Sequence, residues 1–157
     1  MSWAKGADVI EDLLGVGHLE RVLANPDEAA YLLRRARQHL VTAEREAHED
    51  PEIAYDALYA AARKALTAVL RQQGLRPTHQ GGHQAVLEAA DAQLVPPAGP
   101  ILRPYRRLRD RRGKADYQGS EGAVHPEDVE ADLPAARAIV DAAANVVPHM
   151  PVFVPRR

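Results

Sequence analysis

The chain has 157 residues, 46% hydrophobic and 27% charged, with a net charge of −2. That length suits one folded domain, and the near-neutral balance offers no global basic field for nucleic acid. Cysteine is missing, which excludes disulfides, thiolate metal sites and cysteine nucleophiles and is compatible with a reducing cytoplasm. No run approaches the roughly 18 apolar residues that a membrane span needs. The first residues, with Lys5 followed closely by Asp8, Glu11 and Asp12, do not read as a signal peptide. Aromatics are only 4%, and the apolar share is mostly Ala, Leu and Val, so closely packed helices are expected.

Residues Asp8–Leu23 carry Val9, Ile10, Leu13, Leu14, Leu19, Val22 and Leu23, interrupted by Gly15 and Gly17. They predict two short helices or one bent helix, with Trp3 docking ahead of them. Asn25-Pro26-Asp27-Glu28 is a helix start: Asn25 caps, Pro26 fits the first turn and Glu28 completes a capping box. The helix behind it runs to about His48, with Ala29, Leu33, Ala36, Leu40, Ala43 and Ala47 forming one apolar seam. Arg34, Arg35, Arg37 and Gln38 fall on other faces and read as solvated. Asp50-Pro51-Glu52 begins the next helix, which Gly74 ends. Its apolar positions wrap most of the circumference and leave only a narrow polar stripe of Glu52, Asp56, Arg63, Thr67 and Arg71, so it is the central helix.

Residues 74–82 form a loop, and a helix over about His83–Leu94 follows, with His83, Leu87, Ala90 and Leu94 on one face. After a Pro-rich turn, Ile101, Tyr105, Leu108 and Arg112 line one helical face; Pro104 kinks this helix or marks its start. Gly113 weakens it, and if it continues, Asp116 lies one turn beyond Arg112 on the same side. A last helix begins near Pro126 with Glu127, Asp128, Glu130 and Asp132 around its positive end, and Pro134 should bend it. The prolines of 148–157 predict an extended tail. The expectation is a single all-α domain over 1–147, an up-and-down bundle of four to five main helices with short N-terminal additions. No repeat and no β-hairpin signal is visible.

Several chemistries lack their motifs. His79 and His83 are the only close histidine pair, and no carboxylate joins them at ligand spacing, so no metal site is expected; His83 reads as a packed histidine. No Walker loop, GxGxxG or GxSxG occurs. The informative stretch is Arg103–Lys114, where Arg103, Arg106, Arg107, Arg109, Arg111, Arg112 and Lys114 are opposed inside the run only by Asp110, with Asp116 just beyond. Such cations repel one another, and an anion would relieve them. That anion is a phosphate backbone, a nucleotide, or the acidic 121–132 segment of this chain or of a partner; the alternative is a helix face that is simply solvated.

The segment Tyr55–Val86 together with Leu108–Tyr117, LRDRRGKADY, resembles the HEPN superfamily, closest to compact bacterial groups ending in an Arg-x-x-Ala-Asp-Tyr signature. The resemblance covers about Pro26 to Val147. It implies a helical bundle that is usually a homodimer, often a toxin or defence protein, often paired with a small nucleotidyltransferase. Many members cut RNA without metal through an Arg followed after four to six residues by a His. Here Asp116 stands where that His belongs. Arg76 with His83, and Arg34 with His39, satisfy the spacing in other places. A carboxylate is a weak base at neutral pH and cannot protonate a leaving group. The resemblance therefore implies a toxin–antitoxin or defence-type module that binds RNA, a nucleotide or a nucleotidyltransferase partner without the full catalytic motif. A metal-independent endoribonuclease and a purely structural helical protein are the alternatives. The site residues expected are Arg112, Asp116 and Tyr117, with Arg109, Arg111 and Lys114 as anion-binding support and no cofactor.

Overall fold

The computed structural model describes residues 3–156. In chain order it contains α1 (Ala7–Gly15), β1 (Leu19–Arg21), α2 (Pro26–Glu46), α3 (Pro51–Gln72), β2 (Leu75–Pro77), α4 (Gly82–Leu94), α5 (Gly99–Leu102), α6 (Tyr105–Tyr117) and α7 (Pro126–Val146). Short 3-10 turns cover Gly119–Gly122 and Val147–His149. The fold is all-α, as its sequence periodicities predict.

Two of the three long helices, α2 and α3, start where their capping residues stand. The Asn25 side chain accepts a hydrogen bond from the Glu28 amide at 3.1 Å, and Asp50 accepts from the Ile53 amide at 3.2 Å. Each helix then begins with a proline, whose missing N–H costs nothing in the first turn. The short link between them makes α2 and α3 a helical hairpin. α3 packs against α2, α7, α4 and α6, which is why it tolerates so little polar surface. Tyr55, Leu58, Tyr59, Leu66 and Leu70 on it are all essentially inaccessible.

One local expectation is corrected. Residues 19–21, expected to be helical, pair antiparallel with 75–77, expected to be loop; Glu20 faces Arg76 in the register and forms an ion pair with it. Gly17, at φ 78°, ends the helical path before Leu19, and a ladder of three residues is too short to leave a readable alternation. The segment after Pro100 is one turn of helix followed by a separate helix, with Pro104 at the N-cap of α6. Gly113 does not fray α6, which runs on to Tyr117, and α7 continues through Pro134 without a break.

The extended run after residue 149 packs back on the bundle. Met150 and Phe153 are buried, and the Phe153 amide donates to the Gln73 carbonyl at 2.9 Å. Beneath it lie Gln73 and Gln93, the two buried polar side chains among the described residues, bonded to each other through both amides at 2.6 and 3.0 Å. Each amide satisfies the other, so neither leaves a costly orphan. Trp3 packs against the core at the C-terminal end of α4, in a groove with Leu94, Pro96, Pro97 and Val146. Its indole N–H is sequestered with no hydrogen-bond partner among the described residues. No helix is long and apolar enough to cross a membrane among those residues.

Candidate functional site

The basic run of α6 divides by helical phase. Arg107 and Arg111, four residues apart, face α7. Arg107 pairs with Asp132 at 2.8 Å, and Asp132 also accepts from the Tyr55 hydroxyl at 2.6 Å. Arg111 donates to the Gly122 and Ala123 carbonyls at 2.9 and 2.5 Å and pairs with Asp128 at 3.1 Å. The His125 amide, and then Arg111, hold the Asp128 carboxyl below its ordinary range. These two arginines clamp the turn before α7, and part of the basic run is neutralised inside the chain.

Arg109 and Arg112 point the other way, toward α3 and α4. The Arg112 guanidinium lies over the Tyr59 ring, 5.5 Å from its centroid, and its Nε reaches Asp56 at 3.3 Å and Asp116 at 3.9 Å. Asp56, rather than Asp116, is therefore its closest carboxylate. Burial, reinforced by the Asp116 and Glu52 charges, raises the Asp56 carboxyl against the pull of Arg112. Arg112 makes its hydrogen bond through Nε, and its terminal amino groups make no hydrogen bond among the described residues. Arg109 donates to the Gln84 side chain at 2.5 Å.

His83, which the sequence spacing pairs with Arg76, instead joins two tyrosines. Its Nδ1 lies 2.7 Å from the Tyr59 hydroxyl, which in turn lies 3.3 Å from the Tyr105 hydroxyl. Burial, and then the positive charges of Arg63, Arg112 and Arg109, keep His83 below the ordinary histidine value and hence neutral at pH 7. Tyr105 is fully buried, and Tyr59 is its only hydrogen-bond partner among the described residues, so Tyr105 donates to Tyr59. Tyr59 then spends its own hydrogen on His83 Nδ1. Neutral His83 in that arrangement carries its proton on Nε2, which has no partner among the described residues.

Backbone ties at the start of α4 place His83. Thr78 Oγ1 donates to the Gly17 carbonyl at 2.6 Å and accepts from the Gly81 amide at 3.1 Å, while the Thr78 amide donates to the His18 carbonyl at 3.1 Å. Gly82 turns the chain into α4 at φ 53°, a conformation that favours glycine.

The expected residues are thus distributed unevenly. Arg112, Asp116 and Arg109 meet around Tyr59; Arg111 is engaged beside α7; Lys114 and Tyr117 lie exposed on the last turns of α6, with Tyr117 89% accessible. Asp56, Tyr59, Arg63 and His83 complete the group. A signal for three of them existed: Asp56, Tyr59 and Arg63, spaced by three and four, share one side of α3. No group of three or more ligating side chains suited to a metal ion forms among the described residues.

A helical bundle with a cationic site built from its central and sixth helices defines the class of protein. A family model for the HEPN domain matches residues 29–146, well over half of the chain, and the chain belongs to that family. No curated protein and no solved structure matches it.

Proposed function

We propose that this chain is an RNA-binding HEPN module of toxin–antitoxin or defence type, which holds a phosphodiester among Arg112, Arg109, Arg63 and His83. One observation carries the reading: Arg112 presents unpartnered terminal amino groups beside a neutral histidine that offers an Nε2–H donor. A planar guanidinium is suited to two oxygens of one phosphate, and a neutral N–H donor adds a contact without adding repulsion. The Tyr105–Tyr59–His83 chain supports binding over cleavage, because the nitrogen that would act as base already accepts from Tyr59. Asp56 and Asp116 keep the site from over-attracting anions and hold Arg112 over the ring.

Anisotropy of a labelled single-stranded RNA tests this. The wild type should bind, and Arg112→Ala should lose binding with a stability cost of about 1 kcal/mol or less, because its ion pairs are partly exposed. Loss of stability with binding intact would end the reading. Cutting of the RNA in the presence of a chelator, abolished by His83→Gln, would replace it with the metal-independent endoribonuclease. We propose in addition that the chain forms a homodimer through the end of α6, where Tyr117 and Lys114 stand exposed. A monomeric mass in size exclusion at high protein concentration would count against it. A nucleotidyltransferase is the partner class that the family suggests, to be sought by co-purification.

A further inference from the structure

A second group of cations lies on the α2–α3 face, away from the α6 run. Lys64 Nζ is 2.7 Å from His39 Nε2. Arg35 stands one helical turn before His39 on α2, and Arg63 is the neighbour of Lys64 on α3. All four side chains are partly buried, and neither Arg35, Arg63 nor Lys64 forms an ion pair among the described residues. Two other cations of these helices are neutralised, Arg37 by Asp141 and Arg45 by Glu46, whereas Arg34 and Arg71 form no ion pair among the described residues. Burial, then the Lys64, Arg35 and Arg63 charges, lower His39; burial, then Arg63 and Arg35, lower Lys64. His39 is therefore neutral and accepts a hydrogen bond from Lys64, which fixes the ammonium in place. Like charges so gathered, with no acid between them, destabilise the fold that holds them. Arg63 joins the two groups by position: it is next to Lys64 and one helical turn after Tyr59, against which His83 and Arg112 both lie.

We infer that Arg35, Arg63 and Lys64, with His39 positioning Lys64, form a second phosphate subsite that holds the backbone of the same single-stranded RNA at another nucleotide. The inference rests on the RNA-binding reading above. Continuity through Arg63 favours a phosphate chain over a separate acidic partner, because one strand can neutralise both groups.

The test uses a dinucleotide, a longer single-stranded RNA and the full chain carrying Arg35→Ala with Lys64→Ala. The variant should bind the longer RNA more weakly, by about tenfold per contact, and the slope of log K against log salt should fall by about 0.7 per phosphate contact removed. Its affinity for the dinucleotide should not change. Its melting temperature should rise, because repulsion is removed; a purely structural role for Lys64 predicts the opposite. Wild-type affinity and slope for the longer RNA in the variant would overturn the subsite and leave the RNA reading standing. A wild type that binds neither RNA overturns both. Binding of a poly-glutamate peptide in preference to RNA, lost in the same variant, would overturn it in favour of an acidic protein partner.

Discussion

His83 and His39 are both held below the ordinary histidine value of 6.5, each by burial first and neighbouring cations second. The sign of the consequence follows from which state takes up protons first. As pH falls below 6.5, the unfolded chain binds them before the folded chain does, so stability falls from there toward the folded values and is flat above. Urea midpoints measured between about pH 7 and pH 5 should therefore decline, and His83→Gln should make that decline shallower. An unaltered slope in the variant would show that His83 is not held neutral by its surroundings. Single residues of identical type also part company here. Arg111 and Arg112 are adjacent in the chain, yet one is saturated by carbonyls and Asp128 while the other keeps amino groups free beside Tyr59.

At the scale of elements, α4 matters most for the site, because its first turn carries His83. Gly81 lies just before it, and an added Cβ would overlap the His18 carbonyl. Gly81→Ala should therefore lower stability and shift the start of α4. RNA affinity should fall even where the variant remains folded, as checked by circular dichroism alongside anisotropy. Asn25-Pro26 and Asp50-Pro51 made two helix starts readable, and the nearly all-round apolar surface of α3 marked it as central. The period of α6 separates Arg107 and Arg111 from Arg109 and Arg112, but it does not say which pair meets α7. Tyr59, His83 and Arg112 belong to three helices separated by long stretches of chain. Their meeting depends on how those helices pack, which no local spacing records. Spacing along the chain pairs His83 with Arg76, whereas His83 and Arg112 meet at Tyr59, and that meeting was hidden.

For the molecule as a whole, the last residues act as a strap. Phe153 is buried, its amide bonds to Gln73 at the end of α3, and Arg156 pairs with Asp8 and Glu11 of α1. The strap thus ties α1 to the central helix over the Gln73–Gln93 amide pair. Phe153→Ala should cost about 3–5 kcal/mol in urea denaturation, as other truncations of buried aromatics do. Because the strap lies at the Gln73 end of α3, RNA affinity of the folded variant should be close to that of the wild type. A loss under about 1 kcal/mol would mean that the strap rests on the surface.

The one tryptophan lends this arrangement an optical readout. Trp3 sits by Leu94 at one end of α4, and His83 sits at the other. An indole packed in an apolar groove emits at shorter wavelength than one in water, so its emission reports whether the far end of the helix stays seated. Titrating RNA while watching that band distinguishes a rigid rod from a lever: an unmoved spectrum means that the ligand is received by a site already in place, and a red shift means that seizing a phosphate at one end unseats the other.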